Sequence, residues 1–430
     1  MTRAFAANRF MTLQLAFAAL LCFPYPCRAD YASTYGLSAR GTAMGNAYTA
    51  IADDCTAAFH NPAALVLPEN NSIMVGYFYG LPQVELDRVS AGGSTFDAAL
   101  TAPQIGLTVD LGRIVSFTER KVVFGLFVSH PDNLKIASWV RPAPETNLQY
   151  ASFGRVHDLL VMAFGLGVDV TKWLSVGYGF RYNVTYNAKS MVLTLDPVTL
   201  DFVYNTVDVR SENDITPAVG LLVHPGGRWS AGLSWRKEHT AADVKGHGRA
   251  GLQLLPDFGI SLPVNFALYD FYSPREISIG GAWWFGEKIL VSLEVTHEEW
   301  RGFNSPYGDD DIGRASFRDV IVPRIGFERT TERGLALRFG YWYHPSVVRT
   351  VQPETAYLDP DRHVLSAGIG VPWSLDRWVR LPLQVDAFVQ GHILPRKHFD
   401  VVGEKVSAGG AIFVAGITLR LDILGEDAVN

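Results

Sequence analysis

The sequence predicts an all-β protein, a transmembrane antiparallel β-barrel of about 14 strands with an N-terminal plug inside its lumen. Three observations predict it: segments in which apolar residues alternate with small or polar ones, connections that are alternately short and long, and an apolar leader. Composition agrees, because 40 Gly, 25 Phe, 17 Tyr and 10 Trp with 19% charged residues describe strand and turn formers. Length does not decide the class, since 430 residues suit either several soluble domains or one closed sheet.

Alternation is clearest at Leu174, Val176, Tyr178, Phe180, Tyr182 and Val184, which interleave with Ser175, Gly177, Gly179, Arg181, Asn183 and Thr185. Only a period of two gives one apolar and one small or polar face. The division recurs around Ile289 to Thr296, Leu335 to His344 and Leu381 to Gln390. A soluble sandwich also alternates, so loop lengths decide. Short connections at Thr171-Lys172, Pro225 to Arg228, Gly286-Glu287, Thr331 to Arg333 and Ser374 to Asp376 take turns with long ones. The long ones run from Pro131 to Arg155, Arg249 to Tyr272, Asn304 to Ser316, Pro345 to Asp361 and Leu394 to Lys405. Tight periplasmic turns and longer outer loops are the asymmetry of an outer-membrane barrel. Trp173, Trp229, Trp283, Trp284, Trp373 and Trp378 beside the short turns, with Trp300 at the other end of its strand, fit interfacial girdles.

The leader carries Arg3 and Arg9, an apolar run from Phe10 to Phe23 broken by Thr12 and Gln14, and Cys27-Arg28-Ala29. Residues 1–29 therefore read as a secretory signal peptide cut before Asp30, its apolar run being too short to cross a ~30 Å hydrocarbon core. Cys22 and Cys27 leave with it, so Cys55 is the one mature cysteine, read as a small buried side chain. Removing Arg3, Arg9 and Arg28 from 37 basic residues leaves 34 against 43 acidic, a formal charge of −9 that argues against a nucleic-acid partner.

Residues 30–71 differ from the rest. Their small residues and short helical patches suit a compact plug; Asp53 and Asp54 are placed to cap a short helix over Cys55 to Phe59, and Asn61-Pro62 to end it. Residues 72–424 form the barrel and 425–430 a polar tail. The plug segment also contains an ordered series: Gly36-Leu37-Ser38-Ala39-Arg40-Gly41, Met44-Gly45-Asn46-Ala47, Ala52-Asp53-Asp54 and Asn61-Pro62-Ala63. In this it resembles the FadL family, TodX-like members included, whose matching series forms a hatch inside the barrel. On that resemblance the plug motif comprises Gly41, Met44, Gly45, Asp53, Asp54, Asn61, Pro62 and Ala63. Further similarity lies at Ser273 to Gly280, Glu294 to Phe303, Arg338 to Tyr343 and Leu358 to Arg362, and is poorest in Ser190 to Phe271. A family barrel usually finishes on an aromatic, whereas this chain's last strand stops near Ile423 and a polar tail follows.

The resemblance implies a monomeric outer-membrane transporter that passes long-chain fatty acids or aromatic hydrocarbons without an energy source and releases them sideways. Its partners would be the hydrophobic ligand, outer-membrane lipids and lipopolysaccharide, and the barrel-assembly machinery, with no cofactor or metal. The greasy segment from Gly251 to Tyr272, with Leu254, Leu255, Phe258 and Phe266, and the loop carrying Leu148 and Phe153, are candidates for an outer capture surface. Tyr31 and Tyr35 near the new N-terminus are candidates for the inner pocket. Lumen charges Arg181, Glu294, Arg338, Arg380, Asp386, Arg420 and Asp422 are expected to pair with one another and with Arg40, Asp53 and Asp54. Alternatively one of them, Arg338, holds a ligand carboxylate. Two rival functions are a structural or secretion-accessory barrel of the same fold and an outer-membrane lipolytic enzyme, for which no Ser/His spacing singles out a triad.

Overall fold

A computed structural model of the chain describes residues 34–88, 92–96, 99–114, 120–130, 149–150, 161–195, 202–241, 244–255, 258–268, 271–302, 317–349, 357–374, 382–401 and 404–424. The predicted leader, Tyr31, Leu148, Phe153, Trp378, Arg380 and the tail lie outside them. Fourteen of the strands close a barrel, in the order β1 (Asn71–Arg88), β2 (Leu100–Asp110), β3 (Val122–Ser129), β4 (Val161–Asp169), β5 (Leu174–Leu195), β6 (Phe202–Val223), β7 (Trp229–Arg236), β8 (Arg275–Phe285), β9 (Ile289–Glu299), β10 (Val320–Thr330), β11 (Ala336–His344), β12 (Arg362–Ser374), β13 (Pro382–Val401) and β14 (Glu404–Leu424). Each pairs antiparallel with the next, and β14 pairs with β1 from Asn71–Leu424 up to Arg88–Val406. Closure leaves no open sheet edge through the wall.

The alternation read from the sequence is the alternation of the wall. Ser175, Gly177, Gly179 and Arg181 are buried inside, while Tyr178 is 57% exposed. Ile279, Phe339 and Val389 are likewise exposed on the outside. In water such a continuous apolar surface is a liability; against lipid it is the matching solvent face. Among the described residues no helix is long and apolar enough to cross a membrane. Trp173, Trp229, Trp283 and Trp373 stand exposed beside the short turns, as a girdle requires. Trp300 does not: it is buried, donates to Glu298 Oε2 (2.8 Å) and packs with Phe317, Val347 and Val348 in a small second core under the outer connections.

Two segments read as loops are strands. The greasy Arg249 to Tyr272 stretch belongs largely to a hairpin, Val244–Leu255 and Phe258–Leu268, that also pairs parallel with the end of β5 at Val192 to Leu195. Leu394 to Lys405 lies within the β13–β14 pair, which continues past a bulge between Leu394 and Lys397. Strands this long, such as 22 residues in β5, outrun the roughly 9–11 that cross a bilayer. Beyond the bilayer the two faces no longer meet different solvents, so the sequence loses the contrast by which strands were recognised.

Residues 34–68 thread the lumen. Here α1 (Ala39–Ala43), α2 (Ala57–His60) and a 3₁₀ turn at Pro62–Val66 are joined by tight bends and buried almost throughout. The wall makes room with inward rows of small residues. One register row runs Ser292, Gly326, Gly340, Ser366 across β9 to β12. A methyl group on Gly340 would lie 2.1 Å from Gly45 N, and one on Gly326 2.5 Å from Met44 O. Across the lumen, Gly177 and Gly232 face Pro62–Ala63 and Thr49 equally closely. Gly45 and Asn46 have φ of 63° and 56°, so the bend after α1 needs the left-handed region that glycine adopts without strain.

Gly340→Ala should therefore destabilise the folded barrel by about 1–3 kcal/mol, as overpacking does. Gly391→Ala, where nothing lies within 4 Å of the added methyl, should be neutral. Thermal unfolding of the two purified variants, followed by loss of the heat-modifiable gel form, checks the contrast.

Candidate functional site: the segment inside the barrel and its polar wall

The inner segment is held mainly through its backbone. Ser38 Oγ accepts from Gly41 N (3.1 Å) and starts α1. Asp54 accepts from Thr56 N (2.8 Å), turning the chain one step before α2, while Asp53 pairs with Arg40 instead of capping; the helix begins at Ala57, later than Cys55. Asn61 ends α2, accepts from Ala63 N (3.1 Å) to start the 3₁₀ turn, and donates to Thr49 O (2.8 Å) and Leu221 O (3.2 Å). From the wall, Ser366, Ser292 and Ser230 donate to the carbonyls of Ala43 (3.1 Å), Ala47 (2.6 Å) and Ala50 (2.7 Å). Glu294 Oε2 accepts from both Tyr48 N (2.9 Å) and Thr49 N (2.8 Å). Arg420 donates to Asp53 O (3.3 Å).

Below α1 lies a hub of alternating charge. Arg40 grips Glu328 with two bonds, Nε to Oε2 at 2.9 Å and Nη2 to Oε1 at 3.1 Å, and also pairs with Asp53. Behind Glu328 stands Arg338, its register neighbour, bonded in turn to Asp386. Arg338, 4% exposed, thus has two carboxylate partners of the protein's own. The Arg40 to Asp386 chain is the mutual pairing expected of the lumen charges.

A second polar group sits above that row. Glu294, Arg324, Trp342, Val364 and His392 follow one another across β9 to β13 in a single register row. Arg324 Nη1 reaches Glu294 Oε1 (3.3 Å) and bonds Thr296. The Trp342 ring, 1% exposed, has the Arg324 and Arg362 guanidinium carbons 5.7 and 5.0 Å from its centre and the His392 ring at 5.8 Å. On the facing wall Phe59 lies against Arg181 (5.2 Å) and Arg236 (4.2 Å), and Arg236 pairs with Glu276. Tyr35 is buried against Gly80 of β1. Arg324, Glu328, Arg362 and Trp342 escaped the sequence reading as site residues. For the first three the missing signal was alternation in β10 and at the head of β12, both masked by neighbouring loops.

Among the described residues a Ser/His/Asp grouping lies at the short-turn end. Ser175 Oγ lies 2.6 Å from His224 Nε2 and 2.6 Å from Asp169 Oδ1, and Asp169 is 3.6 Å from that same Nε2. A catalytic triad needs the acid on the other imidazole nitrogen. Ser175, fully buried, is a clasp between turns. Among the described residues no cluster of His, Cys, Asp or Glu is arranged to hold a metal.

Arg40→Ala would leave Glu328 buried against Arg338 with a lost partner, a change worth about 3–5 kcal/mol for a broken buried pair. The double variant Arg40→Ala with Glu328→Gln should cost clearly less than the sum of the two single changes, which a double-mutant cycle on urea unfolding measures.

A family model described as outer membrane protein transport protein (OMPP1/FadL/TodX) matches residues 26–389. The alkane uptake protein A of Marinobacter nauticus is 22% identical over 417 residues, covering 90% of each chain. Among solved structures, the Pseudomonas putida toluene transporter TodX aligns over 93% of this chain and 100% of its own with TM-score 0.57 at 15% identity. A Pseudomonas aeruginosa FadL homologue aligns over 90% and 98% with TM-score 0.56 at 14% identity, sharing the barrel fold described above. A fourteen-stranded wall, a lumen filled by the N-terminal segment, and a family match over most of the chain lead to one assignment: this protein belongs to the OMPP1/FadL/TodX family of transport proteins of the outer membrane.

Proposed function

We propose that the protein lets hydrophobic molecules such as long-chain fatty acids, alkanes or monoaromatic hydrocarbons cross the outer membrane passively. The observation that carries this is the filled lumen: residues 34–68 occupy the inner small-residue rows of the wall, an arrangement that suits cargo that leaves water readily. Residues 30–71 act as the plug, with Gly41, Met44, Gly45, Asp53, Asp54, Asn61, Pro62 and Ala63 as its fixed points, after removal of the signal peptide at residues 1–29. Cargo leaves sideways into the bilayer, where an apolar molecule is already in its preferred solvent. The family name of the alkane uptake relative and the toluene transporters supports this cargo range.

Capture begins at the hairpin. Its register sets Leu252 opposite Ile260, Ala250 opposite Leu262, Gly246 opposite Phe266 and Val244 opposite Leu268, with Arg249, His247 and Lys245 on the alternate positions. Directly opposed residues share a face, so one face is apolar in sequence and the other polar. Leu254, Leu255, Phe258 and Phe266 belong to this capture element, and Tyr35, with Tyr31 before it, to the inner pocket. Arg338, bound to Glu328 and Asp386, serves to hold the plug and not a ligand carboxylate. The barrel works as a monomer among outer-membrane lipids and lipopolysaccharide, delivered by the barrel-assembly machinery.

In proteoliposomes without an energy source, the purified protein should speed entry of a radiolabelled fatty acid or alkane over protein-free vesicles. Phe258→Asp combined with Phe266→Asp should weaken capture about tenfold, the worth of one buried aromatic lost. Equal uptake in both vesicle types, or co-purification of a surface protein with no effect on uptake, would replace transport by an anchoring role.

A further inference from the structure

On one side of the barrel the register carries the two faces of the wall past the bilayer. In the lower part of β5, Ser175, Gly177, Gly179 and Arg181 are buried on the lumen side, while Val176 and Tyr178 are exposed outside, as are Leu221 and Val219 opposite them on β6. Roughly 9–11 residues cross a bilayer, so the upper half of each 22-residue strand stands above it. The pairing there passes over Lys189 in β5 and Asn205 in β6. Each such bulge reverses the parity of its strand, so a period of two is broken in the sequence while the faces continue in the sheet.

Directly opposed residues share a face. Counted through both bulges, Met191–Val207, Leu193–Tyr204 and Leu195–Phe202 continue the outward face, and Asn187–Arg210 and Ser190–Asp208 the lumen face. The hairpin extends the same division. Its parallel pairing sets Ala250 beside Leu193 and Leu252 beside Leu195, with Leu262 and Ile260 following on the next strand. Arg249 falls beside Val192, on the lumen face, and His247 and Lys245 share its parity. Every charged residue of these paired upper positions is thus on the lumen face, and the outward face of the four-stranded sheet is apolar.

Lipid explains an apolar outward face within the bilayer but not above it, where both faces meet water. This face runs without a charged step into the lipid-facing surface of β5 and β6 below. What covers it is therefore matter that mixes with hydrocarbon, since a molecule lying on it can move down to the acyl chains along one apolar surface.

We infer, resting on the transport reading above, that the outward face of this sheet is a landing surface for cargo in bulk. Its occupant is the surface of a dispersed hydrocarbon droplet, from which molecules spread down the outside of β5 and β6 into the outer leaflet. The row of Lys245, His247 and Arg249 fixes which side of the sheet the droplet takes, because a charged face stays in water.

The full-length mature barrel in lipid nanodiscs, mixed with a hexadecane-in-water emulsion and centrifuged, tests this. The barrel should be enriched about tenfold in the floating layer over empty discs. Leu193→Asp combined with Leu252→Asp, both outward, should bring it down to the level of empty discs. Thr194→Asp combined with Ser261→Asp, on the same strands but the lumen face, should float as wild type. Both doubles are scored as barrels that keep the heat-modifiable gel form. Should the outward double not assemble, Leu262→Asp makes the same test with a smaller loss. Equal flotation of the two doubles overturns the inference. So does pairing of wild-type barrels through this face without flotation, since the cover is then a second copy. Wild type that takes up dissolved dodecanoate in proteoliposomes yet does not float loses the landing surface and keeps transport. Flotation without any uptake removes transport and leaves the face a site of adhesion only, which also overturns delivery.

Discussion

A chain segment with little regular structure is enclosed in a membrane-spanning wall, and its backbone polar groups must be satisfied there without bulk water. The rest of the architecture follows from that constraint. Hydrogen bonds are supplied by inward side chains at fixed register positions: Ser366, Ser292 and Ser230 for carbonyls, Glu294 for two amides, Asn61 for contacts in both directions. Between these donors and acceptors the wall must be nearly bare, so that the plug backbone can come within bonding distance. Glycine at positions 326, 340, 177 and 232 meets that need. Polar anchors and bare steps are one device, because neither works at the spacing the other would leave.

Charge is handled in the same way. Buried ions are costly unless paired and hydrogen-bonded. Most of the lumen charges described here have an opposite neighbour: Arg40 with Asp53 and Glu328, Arg338 with Glu328 and Asp386, Arg236 with Glu276, Arg324 with Glu294. Such pairs add specificity more than net stability, fixing which face of the plug meets which wall. The outer face needs none of this, and its residues are chosen for lipid alone.

Much of the barrel was legible in the sequence because lipid and lumen demand opposite side chains at successive positions. Strands β5, β9 and β11 show this through Tyr178, Leu293 and Phe339 against Gly179, Glu294 and Arg338. Where a strand continues past the bilayer, as in the upper part of β5 and in the 244–268 hairpin, that contrast disappears and the strand reads as a loop. The segment inside the barrel stood apart in the sequence through its small residues, yet its anchors did not, since Glu294 reaches Tyr48 only because β9 enters the lumen at one particular register. Arg324 and Trp342 meet for the same reason, one residue from each of two adjacent strands.

The two ends of the plug are tied down differently from its middle. Its exit is fixed where Lys121 donates to Pro68 O and Asp110 N donates to Asn71 Oδ1, both at 2.5 Å, beside the short-turn ends of β1 and β2. Its start is fixed by the Arg40 hub and by Arg362, which donates to Thr34 Oγ1 at 3.3 Å. A segment held at both ends moves most easily between them, and the wall holds the stretch from Ala43 to Ala50 by three neutral serine bonds and by Glu294, with Asn61 of the segment itself donating to Thr49 O. Neutral bonds contribute about 0.5–1.5 kcal/mol each and bonds to a charged group about 1.5–3. A side chain that accepts from two amides at once therefore outweighs any one of the serines, and Glu294 is the strongest single hold on the middle of the segment.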